Sequence, residues 1–373
     1  LVFPGKFFGG KHRRLKMANL FGIPMKKSYI RERVGDISQL CTARKMTYSE
    51  GKSAGVDVID VTTGSGFAFT VVPSRCLDIS FASFRGMPLA WRSGNGETSP
   101  FMYQPEGLEW IYSFFGGLLT TCGLTYNNHP CVDQGKELGL HGRASNIPAE
   151  DVNVMKDWDG DDYVITISGR IRESSVFGDN LILNRTITTY LGAKKLLIQD
   201  IIENVGFHAS PLMMLYHVNA GWPVVTQQSQ LLCPSEKTVP RDEAAEVEAD
   251  KWMEFLPPQK DFAERVYFHD LVPDENGSIK LGIVNTALEI GLFMKFPREE
   301  FPNFIEWKML GQGEYVVGLE PSNCIYNRAI MREKGLLEFV EPGQKRSFNL
   351  EIGVLDGAAD IAELKNKVEK VRS

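Results

Sequence analysis

The sequence predicts an all-β protein built on antiparallel sheets, and three observations carry that expectation. Short runs rich in Val, Ile, Thr, Tyr and Phe recur along most of the chain, many with apolar and polar residues alternating. Turn residues separate them at the spacing of an antiparallel sandwich or barrel. No repeat, low-complexity run or linker divides residues 50–355, so the 373 residues read as one large β domain.

Taken in order, residues 1–45 read as an N-terminal extension packing on a main domain of residues 46–373, and Met25 to Arg44 is too mixed in pattern to assign. Asp57 to Thr62 and Phe67 to Val72 flank Thr63-Gly-Ser-Gly66, a hairpin signal. Pro73 to Ser80 follows, with a further turn at Arg85 to Pro88. Ser113 to Gly123 is apolar but interrupted by three glycines, and Tyr126 to Glu150 reads as a long loop holding Asn127, Asn128, His129, His141 and Arg143. Strands are then expected at Tyr163–Arg172, Leu181–Tyr190, Lys195–Glu203 and Pro211–Asn219. Arg241 to Lys251 is acidic and expected to be helical, as a solvated face. Further strands are expected at Ile279–Asn285, Ala287–Phe296, Tyr315–Leu319, Gly335–Val340 and Arg346–Leu355. A C-terminal amphipathic helix carries Ile361, Leu364, Val368 and Val371 on its apolar stripe.

Composition narrows the function classes. Hydrophobic content of 43% with 24% charged residues is that of a soluble globular chain with a sizeable core. The net charge is −6, and the only basic cluster, Lys11 to Lys16, is short, so nucleic acid is not an expected partner. No apolar run approaches the length of a membrane span. Six scattered cysteines form no CxxC pair, which indicates neither a disulfide framework nor a zinc knuckle. The chain begins on Leu1, as a trimmed chain would, with no apolar leader segment, and a reducing cytoplasm fits this usage best.

Three segments are chemically capable. In Leu138-Gly-Leu-His-Gly-Arg143, two glycines let the backbone crowd in around His141. In Pro211 to Pro223, a period-two reading puts Met214, Tyr216 and Val218 on one face and Leu215, His217 and Asn219 on the other. His217 there fits either a hydrogen-bonded core histidine or the floor of a polar pocket. In Val317-Gly-Leu-Glu-Pro-Ser-Asn323, Glu320 ends an apolar strand directly before a proline, as a turn-capping group or a pocket acid/base.

Taken together, in the order LHG, YHxN, LEPxN, the three segments resemble the galactose mutarotase (aldose 1-epimerase) family across roughly residues 55–355. Ile201 to Val205 matches that family's preceding Asn-containing strand end. The resemblance implies a large antiparallel β-supersandwich with a few short helices and an isomerase of carbohydrate metabolism acting on the anomers of an aldose or modified sugar. It implies Glu320 as base, His217 as acid on the ring oxygen, and His141 as the group that positions and stabilises it. Arg143 stands where the family has a second glycine, and the YHVNAGW strand departs from the family's NHxYFNL, which marks a divergent branch. For the family's substrate-binding Asp, His269-Asp270 lies in the right interval, with Asp261 as the alternative. Arg75, Arg143, Asn219 and Trp307 complete the candidate substrate contacts. No cofactor or metal is expected, and the partner is a small-molecule carbohydrate, with homodimerisation left open. Two alternatives stand beside this: a metal-dependent sugar lyase or isomerase using His129, His141, His217 and Glu320, and a non-catalytic carbohydrate-binding protein on the same fold.

Overall fold

The computed structural model describes residues 17–372, so the basic cluster and the first part of the expected extension lie outside the described residues. Three antiparallel sheets make the body. Five strands, Thr42–Thr47, Asp57–Thr62, Phe67–Val72, Asp78–Phe84 and Met87–Pro88, form an early meander that includes the expected Thr63–Gly66 hairpin. An eight-stranded sheet runs in the order Glu150–Asp159, Asp162–Ser174, Asn180–Tyr190, Lys195–Asn204, Lys345–Asp356, Ile290–Pro297, Ser278–Asn285, Ser229–Leu232. A six-stranded sheet runs Ser235–Pro240, Arg265–Leu271, Asn303–Gly311, Glu314–Ser322, Leu215–Gly221, Thr120–Cys122. The expected antiparallel supersandwich is what the chain forms.

Side-chain alternation decides what each face of the six-stranded sheet does. Tyr216, Val218, Val317, Leu319, Tyr267 and Phe304 point into the main core, where they join Ile198, Ile202, Leu350 and Ile352 of the eight-stranded sheet. The intervening residues Leu215, Val266 and Ile305 point the other way, into a smaller aromatic cluster with Trp110 and Phe114. The C-terminal helix Ala358–Arg372 lays Ile361, Leu364 and Val368 on Leu232, Val284, Phe293 and Leu355 of the eight-stranded sheet.

Buried charge ties the sheets together. Arg185 donates from Nη2 to Asp200 Oδ2 at 2.6 Å and from Nη1 to Asp78 Oδ1 at 3.1 Å. The Tyr216 hydroxyl also donates to Asp200, and Asp78 accepts from the Thr121 backbone N–H at 3.0 Å and its hydroxyl at 2.6 Å. Thr121 and Tyr216 face each other across neighbouring strands, so one arginine joins the eight-stranded sheet to both.

Several expectations change in detail. The run expected as one strand from Pro211 to Asn219 is two: Ser210–Leu212 pairs with Glu338–Val340, and Leu215–Gly221 enters the six-stranded sheet. Between them the Met213 N–H donates to Leu124 O and the Met214 N–H to Asn323 Oδ1, both at 2.7 Å, so the backbone changes partners there. Within the expected long loop, Cys131–Asp133 and Lys136–Leu138 form a hairpin. Asp133 pins it to the helix Arg328–Glu333 through Arg328 at 2.7 Å and Arg332 at 2.8 Å. The expected helix over 241–251 shrinks to Glu243–Glu246, capped by Asp242, and a 3-10 turn Ala249–Lys251. All six cysteines are free, and among the described residues no helix is long and apolar enough to cross a membrane.

Candidate active site

A cavity of about 660 Å³ opens on the outer face of the six-stranded sheet. His217 and Glu320 sit on its floor, from the neighbouring strands Leu215–Gly221 and Glu314–Ser322. His217 Nε2 lies 3.3 Å from Glu320 Oε1. The contact is close but not aligned as a hydrogen bond, and both His217 Nδ1 and Glu320 Oε1 are buried without a protein partner. Buried polar atoms left without a partner call for an explanation, and a catalytic role is one. Gly318 is what lets the pair approach. A Cβ there would lie 2.5 Å from Glu320 Oε1, 3.1 Å from Trp307 and 3.2 Å from the His217 ring.

His141 arrives from the loop side. Its backbone is left-handed, with φ of 54°, and Gly142 follows at 79°. Gly142 has no alternative, since a Cβ would lie 2.2 Å from Gly123 O. The His141 ring stands edge-on to His217, with centroids 5.8 Å apart. Asn127 Nδ2 points at Cys324 Sγ, 3.4 Å away, which turns Asn127 Oδ1 to His141 Nδ1 at 3.1 Å. That orientation makes Nδ1 the protonated nitrogen and leaves Nε2 as an acceptor.

Aromatic rings close the site. Trp110 lies 4.8 Å from His141, while Phe114 and Trp307 each lie 5.3 Å from His217 between ring centroids. Their exclusion of water sets the protonation states. Burial pushes the Glu320 carboxyl up to about 8, with Glu264 adding to the rise and Arg241 opposing it. Burial pulls His217 down to about 4. His141 is held well below the usual histidine range by burial first, then by His217 and His129. At neutral pH both imidazoles are therefore neutral and Glu320 carries a proton.

Trp307 lines the cavity, its indole N–H donating to Glu264 Oε2 at 2.8 Å. The other five candidate contacts lie outside it. Arg75 is fully buried and donates to three backbone carbonyls, of Ser145, Thr98 and Ser113. Arg143 is exposed beside the loop. Asn219 is buried behind His217 and donates to the carbonyls of His217 and Gly117, so it braces the strand. His269 shares the inward face with Tyr267, which turns its Nε2 to Glu306 at 3.3 Å on the far side of the sheet from the cavity. Asp270 is exposed and pairs with Arg298 at 3.1 Å. Asp261 also lies outside the lining, and His129 belongs to it. Among the described residues no three His, Cys, Asp or Glu side chains converge as metal ligands would.

Sequence reasoning missed Trp91, Trp110, Phe114, Arg241 and Glu264 in the lining. Arg241 is a correction: it opens the segment expected to be a solvated face, yet reaches the cavity while pairing with Glu264 at 2.9 Å and Asp242 at 2.7 Å. The alternating strand around Val266 and Phe268 was the available signal, since it directs Glu264 to the same face.

A family model described as a domain of unknown function, DUF4432, matches residues 53–354. The chain belongs to that family. No curated protein matches this DUF4432 member. Among solved structures it is similar to a protein of Klebsiella pneumoniae subsp. pneumoniae MGH 78578 described as a "putative aldose 1-epimerase". That likeness has 24% identity and a TM-score of 0.86 over 90% of this chain and 91% of the other. A galactose mutarotase-like protein from Clostridium acetobutylicum is similar at 13% identity, TM-score 0.58, over 85% of this chain and 99% of that one. Galactose 1-epimerase from Lactobacillus acidophilus NCFM is similar at 11% identity, TM-score 0.54, over 85% and 99%. The DUF4432 member thus has the galactose mutarotase-like fold, as a divergent branch.

Proposed function

We propose that this DUF4432 member is a carbohydrate-active isomerase that interconverts the anomers of an aldose. The observation that carries the reading is the His217–Glu320 pair, two buried groups 3.3 Å apart that hold one proton between them at neutral pH. Anomer exchange needs one base for the C1 hydroxyl proton and one acid for the ring oxygen. His217 Nε2 takes the proton from O1, and the O1 electrons form the C1 carbonyl. As the C1–O5 bond breaks, O5 takes the proton of Glu320. The pair is then imidazolium and carboxylate, whose attraction in a water-poor cavity favours the open-chain state. Rotation about C1–C2 presents the other carbonyl face, and closure returns both protons to where they began. His141, neutral and fixed by Asn127, holds a sugar hydroxyl on Nε2.

The resemblance to aldose epimerases implies the opposite assignment, with Glu320 as base and His217 as acid. The proton count of the pair is the same in both. Burial disfavours the charged form of each group, and this supports His217 as the base and Glu320 as the acid.

The test is NMR exchange or polarimetry of anomers over a panel of aldoses, and two results are expected. The first is a bell-shaped pH profile of kcat/KM. Below about 4 His217 binds a proton and the pair has no base. Above about 8 Glu320 loses its proton and the pair has no acid. The two limbs report the pair as a unit, and a flat profile across that window contradicts the mechanism. The second concerns Gly318→Ala. The added methyl would meet Glu320 Oε1 at 2.5 Å, and displacing a reacting group by about 1 Å costs on the order of a hundredfold. Turnover should fall by about that factor, with circular dichroism unchanged.

A further inference from the structure

We infer that the cavity takes a neutral reducing disaccharide, with its free anomeric unit at His217–Glu320 and its second unit over Trp307 toward Arg241, Glu264 and Glu314. The inference rests on the anomer-exchange reading and adds the substrate class. Size is the first argument. A hexose has about twelve non-hydrogen atoms, and granting each the ~30 Å³ that a whole water takes in the liquid fills only about 360 Å³. The cavity is nearly twice that, at about 660 Å³.

Shape is the second. Glu320 and Glu314 both line the cavity and lie six residues apart on one strand, on the same face, which is about 20 Å of floor at the strand rise. Along that floor the cross-strand partners run Ile305 beside Glu320, Trp307 beside Gly318, Met309 beside Val316 and Gly311 beside Glu314. The reacting pair occupies the Glu320 end of that strand stretch, with His129 and Tyr326 lining the cavity as well. Trp307 comes next, its ring orientation fixed by the bond from Nε1 to Glu264. Beyond it Arg241 and Glu264, held to each other at 2.9 Å, offer a donor and an acceptor to sugar hydroxyls. Pyranose C–H faces pack on indole, and their hydroxyls suit such a polar pair.

Charge is the third. Arg241 is the only Lys or Arg among the described lining residues, and it already faces Glu264 and Asp242. Glu264 and Glu314 add carboxylates at the same end. A phosphate or carboxylate on the second unit would meet net negative charge with no free cation, so the site disfavours sugar phosphates and uronic acids. The first unit keeps a free C1 hydroxyl because ring opening requires it, which restricts the ligand to reducing sugars.

The test uses the full chain with maltose, cellobiose and lactose against glucose and galactose, and with glucose 6-phosphate and glucuronate as charged probes. Anomer exchange is followed by NMR, and binding by quenching of tryptophan fluorescence, since Trp91, Trp110 and Trp307 line the cavity. At least one disaccharide should exceed its own reducing-end monosaccharide by about tenfold or more in kcat/KM. Glu314→Gln, at an exposed position, and Met309→Ala should bring that ratio toward one. Equal or higher kcat/KM on a monosaccharide, or preference for a charged probe, overturns the inference while anomer exchange stands. Saturable quenching by a disaccharide with no exchange on any sugar sinks the isomerase reading and, with it, the placement of a free anomeric unit at His217–Glu320. Absence of both quenching and exchange overturns both.

Discussion

Glu320→Gln lowers turnover in anomer exchange by at least about a hundredfold, the low end of what a positioned acid or base contributes. The amide keeps the size of the carboxyl and can still hydrogen-bond a sugar, so KM should change little. It cannot supply the proton that O5 requires. The same variant makes a second, independent statement about stability. Glu320 is raised to about 8 in the folded chain from an ordinary value near 4.5. The contribution of this group to stability is therefore fully present below about 4.5 and is lost progressively as pH rises through about 8. Glutamine does not titrate, so Glu320→Gln should match or exceed the wild type in denaturant midpoint at pH 8. A variant with wild-type turnover would make Glu320 a structural residue and remove the mechanism.

Arg185→Met is expected to cost about 3–5 kcal/mol of stability, because it leaves Asp78 and Asp200 buried without their cation. All three side chains have no exposed surface, so water cannot take over. The loss should show as a large fall in urea midpoint, a sizeable share of the roughly 5–15 kcal/mol typical of a folded domain. Asp78 holds Thr121 and Asp200 holds Tyr216, on the two strands that face each other beside His217. Folded Arg185→Met should therefore also show weakened turnover at low temperature. A shift below about 1 kcal/mol would mean that the carboxylates find other partners.

What the sequence could tell about this chain follows from the range over which each signal acts. Strand periodicity is local, and it put His217 on the face opposite Tyr216 without any knowledge of the partner strands, while Glu320 was legible only as the end of an apolar strand before Pro321. Gly142 was legible as a place where the backbone crowds in around His141, but what excludes a side chain there is the Gly123 carbonyl of another segment. Arg185 was invisible because its strand mixes polar and apolar residues throughout, while Asp78 is 107 positions away. Arg75 was out of reach for a related reason: a guanidinium can fork two acceptors on a sugar, but here the carbonyls of Ser145, Thr98 and Ser113, distant in sequence, take its donors. His269 was misplaced by counting intervals between motifs. Alternation along Arg265–Leu271 puts it with Tyr267, and that alternation, had it been applied there, gives the inward face. Arg241 escaped because charge-rich segments are usually solvated, and Glu264 because the alternation through Val266 and Phe268 that gives its face does not say that a cavity lies there.

The two walls of the cavity differ in how freely they can drift. His217, Trp307 and Glu320 stand on strands whose alternate residues are locked into the main core, so a substitution that shifts those strands disturbs the whole body. Leu108 and Ile111 stand on the opposite wall, 55% and 50% exposed, on a segment that contributes no sheet strand. Side-chain changes at Leu108 and Ile111 leave the strands' packing on the main core intact, provided that Trp110 and Phe114 keep their places against Leu215, Val266 and Ile305. The strand wall can therefore stay fixed while the loop wall varies, and directed evolution toward a new ligand has its widest field of tolerated mutations on the loop wall.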